Sequence, residues 1–222
     1  MPFCNSKKCM YIVKWNWAIY KKILTYVVKK LKGRITMIYK EKEFIAKNGK
    51  KLIIKTPERE DALELVEAMI KITTESSNFL VGTPEVFNSY KENLDKEEEF
   101  IKVSREGSNY FVCVYDENKI VGDCELRINS QTKTRHRSQI GIALLKKYQN
   151  LGIGSFLFDE MINLAKSTDG IEQIELDVVS TNDLAKHLYA KKGFVKTGTI
   201  PRQLKQSDGT YSDGEMMTLF LK

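Results

Sequence analysis

The stretch Tyr148–Gly154 reads Tyr-Gln-Asn-Leu-Gly-Ile-Gly and joins a strand pattern, Gln139–Leu145, to a helical pattern, Gly154–Lys166. A glycine loop between a strand and a helix leaves several backbone N–H groups at the positive end of the helix dipole, where phosphate binds. Gly152 and Gly154 carry no Cβ, so a pyrophosphate would approach the main chain closely there. Because a Gly-x-Gly pair alone is more often a simple turn, this prediction depends on the rest of the chain.

The charge is distributed unevenly along the 222 residues. The formal net charge is +7, yet residues 1–50 contain thirteen Lys or Arg and two Glu, and so carry +11. The remaining residues therefore carry −4. The main body is mildly acidic, which gives no support for a nucleic-acid partner and weakly favours a cationic acceptor.

Residues 1–36 are predicted to be a basic N-terminal extension, and a compact domain is predicted to occupy residues 37–222. Within the extension, residues 10–32 would form a basic, aromatic-rich amphipathic helix. Its lysines interrupt the apolar run too often for a membrane span, and no small-residue cleavage site follows. Contact with a membrane surface is one interpretation. A disordered arm, a helix packed on the domain and an upstream extension are together favoured over it.

Cysteine and histidine usage limits the chemistry. Four cysteines do not make a disulfide scaffold in a chain of this length, and the usage fits a reducing cytoplasm. Cys113 and Cys124 lie in apolar strand patterns and are predicted to be small buried hydrophobes. With only His136 and His187, and no clustered Cys/His spacing, no metal site is predicted.

Seven strands and four helices follow from the hydrophobic periodicity, in the order β-α-α-β-β-β-α-β-α-β-β. The predicted strands are Leu52–Lys55, Tyr110–Tyr115, Lys119–Ile128, Thr134–Leu145, Ile171–Val179, Phe194–Ile200 and Glu215–Leu221. The helices begin near Asp61, Thr83, Gly154 and Asn182, and the first is expected to bury Leu63, Val66, Met69 and Ile70. A helix between two strands implies a right-handed parallel crossover. The fold class is therefore α/β with a mixed sheet.

Several charged and aromatic residues admit two interpretations. The acidic run Asp95–Glu99 is favoured as a solvated helix face, with a rim for a cationic substrate as the alternative. The basic run Arg135–Arg137 is favoured as a solvated strand end over a ligand contact. Tyr211, Asp213 and Glu215 either line an acceptor pocket or shape the last hairpin.

This element order, with the glycine loop at that point in it, resembles the GNAT superfamily of acetyl-CoA-dependent N-acetyltransferases over about Lys51 to Lys222. Gln149–Gly154 fits the family's Arg/Gln-x-x-Gly-x-Gly/Ala loop. Asn182–Phe194 fits Asn-x-x-Ala-x-x-Leu-Tyr-x-x-x-Gly-Phe. The resemblance implies a mostly antiparallel sheet with one splayed parallel strand pair and helices on both faces.

The resemblance also implies acetyl-CoA as the acetyl donor and an amine as the acceptor. The pyrophosphate would lie on the glycine loop, and the pantetheine arm would pair with the strand before it as an added β-strand. The cofactor-binding residues so implied are Ile142, Ala143, Leu144, Gln149, Asn150, Leu151, Gly152, Ile153, Gly154 and Asn182. Asn182 also suits an N-cap, and the two roles are compatible.

Tyr189 is the general acid that the resemblance implies. When an amine attacks the thioester, sulfur leaves as a thiolate, and a phenol can donate a proton or a hydrogen bond to it. Without the family match, Tyr189 would be taken for an aromatic core residue. The proposed mechanism is direct transfer in a ternary complex.

The general base is less well defined by the sequence. Ser138 and Gln139 occupy the positions where the family often has a glutamate, and neither can act as a base. Glu125, with Asp123, is the remaining carboxylate candidate, and a water relay is the alternative. The activity implied is acetyl transfer to a primary amine of a small molecule or protein; the alternative is a non-catalytic acyl-CoA-binding regulatory module. A homodimer is left open, because edge strands and the last hairpin can serve either pairing or solvent.

Overall fold

The computed structural model describes residues 37–79, 90–206 and 208–222. The predictions for residues 1–36, for the amphipathic segment 10–32 and for the start of a helix at Thr83 lie outside these residues. None of the four helices described below combines the length and the apolar character that crossing a bilayer requires.

The elements alternate much as the periodicity predicts. The strands are β1 (Lys42–Ile45), β2 (Lys51–Lys55), β3 (Asn109–Asp116), β4 (Lys119–Ile128), β5 (Arg137–Leu144), β6 (Gln173–Val179), β7 (Val195–Lys205) and β8 (Tyr211–Phe220). The helices are α1 (Ala62–Glu75), α2 (Tyr90–Val103), α3 (Ile153–Ser167) and α4 (Asp183–Lys191).

The strands form one 8-stranded sheet in the order β1-β2-β3-β4-β5-β6-β8-β7. Every neighbouring pair is antiparallel except β5 and β6, which are parallel and joined through α3. A parallel pair needs such a crossover, because two strands running the same way cannot be joined by a tight turn. The predicted mixed sheet with one parallel pair is confirmed.

The parallel strands pair over only three positions, Arg137 with Gln173 to Gln139 with Glu175. Beyond these, β5 continues to Leu144 and β6 to Val179, and neither strand pairs with the other. The predicted splay of the two strands is therefore confirmed, and it opens toward the end of β5 that leads into the glycine loop.

The sheet separates two apolar cores. Val112 and Val114 of β3 belong to the larger core, which includes the buried faces of α3 and α4. Phe111, Cys113 and Tyr115 alternate with them and belong to the smaller core, under α1 and α2. The helices thus lie on both faces of the sheet.

Four details of the sequence prediction are wrong. Strand β1 was missed, and β5 begins at Arg137 rather than Thr134, since the preceding residues form a turn. The last hairpin is longer than predicted because a register irregularity between Ile200 and Leu204, with Arg202 at a φ of 54°, lets β7 continue to Lys205. Leu63 is 43% exposed rather than buried, whereas Val66 is buried as predicted, beside Leu65 and Ile72.

Candidate active site

The glycine loop begins α3 with a left-handed residue. Gly152 is the N-cap of the helix at a φ of 88°, and Asn150 also has a positive φ, of 60°. The N–H of Phe156 donates to the Gly152 carbonyl oxygen at 3.1 Å. Ahead of it, the N–H groups of residues 150–155 have no backbone acceptor among the described residues, and no side chain caps the helix. These donors lie at the positive end of the α3 dipole.

Neighbouring groups hold the loop in place. The Gln149 Nε2 donates to the carbonyl oxygen of Leu144 at 3.1 Å, so this side chain ties the loop back to the end of β5. The Lys47 N–H, in the turn between β1 and β2, donates to the Leu151 carbonyl oxygen at 3.1 Å. The Phe44 ring packs on Phe156 with centroids 4.9 Å apart.

The two glycines serve purposes other than the predicted ligand clearance. A Cβ on Gly152 would lie 3.6 Å from the Phe44 ring and 3.8 Å from the Lys47 side chain, so it would contact these two side chains. A Cβ on Gly154 would lie 3.3 Å from Leu188 and 3.5 Å from Ile142, in a tight helix–strand contact. Gly152 is required by its positive φ, and Gly154 by the close approach of α3 to β5 and α4. The close approach of a pyrophosphate to this main chain stays a prediction.

The strand segment Ile142–Leu144 lies beside the splay. Ala143 is buried, whereas Ile142 and Leu144 are half-buried against the larger core. On its other side this segment pairs with β4, with Cys124 opposite Ile142 and Gly122 opposite Leu144. The side of β5 that faces β6 has no strand partner here, as an added extended ligand requires.

Asn182 is the N-cap of α4, as one of its two predicted roles requires. Its Oδ1 accepts a hydrogen bond from the Ala185 N–H at 3.3 Å. The cap fixes the start of the helix that carries Tyr189.

Tyr189 lies buried on α4, with its ring 5.1 Å from that of Phe158 and 6.2 Å from that of Phe194. Burial, together with the neighbouring Cys124 thiol, raises the pKa of Tyr189 to about 12. The hydroxyl is therefore protonated at neutral pH, as a proton donor must be. Tyr189 thus has the surroundings of a core residue and the protonation state of an acid.

Glu125 and Asp123 lie on the same face of β4 in different surroundings. Glu125 is buried and accepts hydrogen bonds from Arg127 at 2.7 Å and from Asn109 at 3.0 Å. By contrast, Asp123 Oδ2 is closed to solvent and has no hydrogen-bond partner among the described residues. Burial, followed by repulsion from Glu97 and Glu125, raises the pKa of Asp123 to about 8. Of the two predicted candidates, Asp123 is therefore mostly protonated at neutral pH, and Glu125 is engaged by Arg127 and Asn109.

Glu97 departs from the favoured interpretation of the acidic run. It lies on α2, and burial and the charge of Glu125 raise its pKa. Its neighbours Asp95 and Glu99 are exposed, as a solvated face predicts. The sequence prediction did not distinguish Glu97 from the rest of the acidic run. On a helix, Glu97 faces away from Asp95 and Glu99, each two positions from it, and this spacing could have indicated that its side chain faces the sheet.

The other ambiguous residues form structural contacts. The Arg137 guanidinium makes two hydrogen bonds to Glu175, at 2.6 and 2.7 Å, across the parallel strand pair. Asp213 accepts from the Arg202 N–H at 2.7 Å, and Glu215 lies 3.3 Å from Lys196. These contacts hold the strand pair and the last hairpin together. In the described part of the chain, no group of three or more His, Cys, Asp or Glu side chains is arranged to hold a metal ion.

The chain is similar to known acetyltransferases along most of its length. The family model of the acetyltransferase (GNAT) family matches residues 67–194. An L-amino acid N-acetyltransferase of Escherichia coli is 28% identical over 113 residues, which cover 51% of this chain and 68% of that protein. The matched residues 67–194 contain the glycine loop, Asp123 and Tyr189.

Solved structures agree on the fold. A GNAT-family acetyltransferase from Streptococcus pneumoniae superposes with a TM-score of 0.70 at 25% identity, covering 77% of this chain and 99% of that one. A structure from Salmonella typhimurium, described with its cofactor acetyl-CoA, has a TM-score of 0.65 at 16% identity, covering 77% and 94%. Its likeness supports the fold alone. With the family model matching more than half of its residues, this chain belongs to the GNAT family of acetyltransferases.

Proposed function

We propose that residues 37–222 bind acetyl-CoA along the splay between β5 and β6 and transfer its acetyl group directly to a primary amine. One observation carries the proposal. Unpaired N–H groups at the start of α3 lie next to the edge of β5 that does not pair with β6. A ligand with a pyrophosphate followed by an extended amide-containing arm suits both features at once.

The donor half of the site would use main chain more than side chains. The N–H groups of Leu151–Gly154 would hold the pyrophosphate, and Ile142–Leu144 would pair with the pantetheine amides. Because Gln149 already donates to Leu144, its part is to shape the loop. Asn150 contributes its N–H and its left-handed conformation. Asn182 would orient the end of α4 while approaching the cofactor from the next loop.

Lys47 adds a cation to this end of the site. Its side-chain Cε lies 3.8 Å from the position of a Cβ on Gly152, and its N–H is bonded to the glycine loop. An ammonium there would attract the phosphates of the donor. The sequence gives no sign of this residue, because its periodicity does not predict β1.

Tyr189 would protonate the leaving sulfur. As the amine nitrogen bonds to the acetyl carbon, the C–S bond breaks and its electron pair remains on sulfur. A phenol with a pKa of about 12 stays protonated until that charge develops. Direct transfer then needs no cysteine nucleophile, in keeping with the buried positions of Cys113 and Cys124.

The acceptor is an amine of a small molecule or a protein. The E. coli relative is named for L-amino acids, so free amino acids belong in any acceptor panel. We place the reaction in the cytoplasm, because the buried Cys113 and Cys124 are free thiols. No finding favours the alternative of a non-catalytic acyl-CoA-binding module.

Thiol release from acetyl-CoA tests this proposal. The full chain would be incubated with acetyl-CoA and a panel of primary amines that includes amino acids, amino acid amides, polyamines and peptides with free N-termini. We expect amine-dependent release of CoA thiol and the matching N-acetyl product by mass spectrometry. Binding of acetyl-CoA without release by any amine would favour the regulatory module instead.

A further inference from the structure

Tyr148 is the first residue of the glycine-loop stretch and the one residue of that stretch that the proposed donor site does not use. It ends a short 3₁₀ turn, Lys146–Tyr148, between β5 and the loop. Its side chain is 4% exposed and belongs to the larger core. A phenylalanine would fill an apolar core without a hydroxyl to satisfy. The contact that the hydroxyl makes is therefore what distinguishes a tyrosine at this position.

The Tyr148 hydroxyl donates a hydrogen bond to Asp116 Oδ2 at the end of β3. Burial, followed by this hydrogen bond, raises the pKa of Tyr148 to about 12, so the phenol remains a donor at neutral pH. A hydrogen bond to a carboxylate is about twice as strong as one between neutral groups. Tyr148 therefore ties the start of the glycine loop to β3.

Lys50 binds the same carboxylate oxygen. Its Nζ forms an ion pair with Asp116 Oδ2 and lies 5.9 Å from the centre of the Tyr148 ring. Desolvation acts to raise the pKa of Asp116, but the hydrogen bonds from Lys50 and Tyr148 outweigh it and lower that pKa. The carboxylate is therefore ionised at neutral pH and accepts from both residues. We call Lys50, Asp116 and Tyr148 the clamp.

The turn between β1 and β2, residues 46–50, reaches the other end of the glycine loop as well. The Lys47 N–H donates to the Leu151 carbonyl oxygen at 3.1 Å. The turn itself is closed by two internal backbone hydrogen bonds of 2.8 Å. One turn therefore holds both ends of the segment 148–151, through the backbone of Lys47 at one end and through the clamp at the other.

The chain between these two attachment points needs such support. Asn150 lies there at a positive φ of 60°. A non-glycine residue in this conformation persists where the surrounding structure fixes it. Amides that bind a diphosphate are also best held in place before the ligand arrives, because ordering them on binding costs affinity.

We propose that Tyr148, acting through Asp116 and Lys50, is a positioning residue for the donor, which holds the N–H groups that follow it in the orientation that receives the diphosphate of acetyl-CoA. This inference rests on the proposed acetyl transfer. The Tyr148 hydroxyl acts through the backbone of the loop and takes no part in the chemical step at Tyr189. Its loss should therefore weaken donor binding and leave kcat unchanged.

Tyr148→Phe tests this role, because it removes the hydroxyl and changes no formal charge. With the full chain, we expect the Kd of acetyl-CoA by calorimetry to rise at least about threefold, and KM to rise with it while kcat stays within about twofold. The Kd of acetyl-pantetheine, which lacks the diphosphate, should not change. A Kd of acetyl-CoA within about twofold of wild type, or an equal loss of affinity for both donors, would overturn the proposal.

Tyr115→Phe is the matched control. Tyr115 is also buried, and its hydroxyl also donates to an aspartate, Asp61 at the start of α1, at 2.8 Å. We expect the two variants to lose similar free energies of unfolding in urea, since each loses one hydrogen bond to a carboxylate. Only Tyr148→Phe should lose affinity for acetyl-CoA. An equal loss of affinity in Tyr115→Phe would show general destabilisation and overturn the positioning role.

Salt separates positioning from attraction between charges. The clamp acts through the geometry of the loop, so the ratio of the two Kd values for acetyl-CoA, Tyr148→Phe over wild type, should be the same at low and high salt. A contribution from an ammonium would be screened instead. A ratio that falls to one at high salt would overturn the proposal.

Backbone NMR relaxation of the full chain without donor tests the clamp independently of the proposed function. We expect order parameters of Asn150–Ile153 of about 0.85, typical of a rigid backbone, in wild type and Tyr115→Phe, and of about 0.6 or below in Tyr148→Phe. Unchanged order parameters in Tyr148→Phe would overturn the proposal. Absence of acetyl-CoA binding to wild type would instead sink the proposed acetyl transfer, and the order parameters would still confirm or overturn the hold of Tyr148 on the loop.

Discussion

Glu125 and Asp123 are two residues apart on β4, yet their partners give them opposite chemistry. Arg127 and Asn109 satisfy Glu125, whereas Asp123 Oδ2 is buried without a partner. The sequence identified both carboxylates as candidates. It did not separate them, because the difference depends on where Arg127, Asn109 and Glu97 lie around them in space.

The buried charge of Asp123 predicts a pH-dependent stability. Its pKa rises from 3.8 unfolded to about 8 in the fold, so the folded state favours the protonated form. The contribution of Asp123 to stability is therefore full below about pH 4 and is lost as the pH rises through about 8. In urea unfolding, we expect the free energy of unfolding of Asp123→Asn, relative to that of wild type, to increase by several kcal/mol from pH 5 to pH 9.

The matched control for this prediction is Asp95→Asn, whose side chain is exposed. The free energy of unfolding of this variant should follow that of wild type at both pH values. If the free energy of unfolding of Asp123→Asn also followed that of wild type, Asp123 would be ionised throughout this pH range, and its carboxylate would be accessible to water.

Removing the Tyr189 hydroxyl should slow the chemical step. In Tyr189→Phe the thiolate leaves without its proton donor, so we expect kcat to fall about 100-fold while the KM for acetyl-CoA changes little. The ring stacking on Phe158 is kept. The measurement is thiol release at saturating acetyl-CoA with the best acceptor, and exposed Tyr211→Phe is the control. A Tyr189→Phe variant as fast as wild type would leave Tyr189 with a core role only.

At the scale of elements, the glycine loop was found from sequence, but the sequence did not reveal all that its glycines do. Its place between strand and helix predicted the unpaired N–H groups correctly. Its glycines, however, satisfy a positive φ at Gly152 and close packing at Gly154. Local sequence reveals that a turn is tight, but not which neighbour comes close from a distant part of the chain.

The hairpin of β1 and β2 is the element that sequence missed. Its four-residue first strand has too few alternating positions to register as a pattern. The hairpin nevertheless brings Phe44 and Lys47 against the glycine loop. Likewise, α1 buries Leu65 and Ile72 in addition to the predicted Val66, because it packs against both the sheet and α2, which widens its buried arc.

Lys47 should contribute to donor binding through its charge. We expect Lys47→Ala to weaken acetyl-CoA binding about three- to tenfold, more at low salt than at high salt, because the ammonium near Gly152 attracts phosphate. The backbone bond to Leu151 is unaffected by this change. Isothermal calorimetry at two salt concentrations measures the effect. Lys51→Ala, whose lysine pairs with Glu43 at 2.6 Å, is the control and should bind as wild type does.

At the scale of the whole molecule, most of the order of elements along the chain could be predicted from the sequence. Of the candidate site, much of the donor side could be predicted. The parallel pair and its splay follow from motifs spaced along the chain. Much of the proposed donor side follows as well, because the glycine loop and Ile142–Leu144 lie within one β-α unit, whereas Lys47 comes from the unpredicted β1–β2 hairpin. The electrostatic surroundings of Asp123 include Glu97 of α2 and Glu125 of β4, and they emerge only from the folded chain.

Calorimetric titration with acetyl-CoA and with acetyl-pantetheine, which lacks the pyrophosphate, tests the central claim most directly. If the unpaired N–H groups ahead of α3 hold the diphosphate, acetyl-CoA should bind at least about tenfold more tightly than the truncated thioester. Equal affinities, or no heat from acetyl-CoA, would contradict the account.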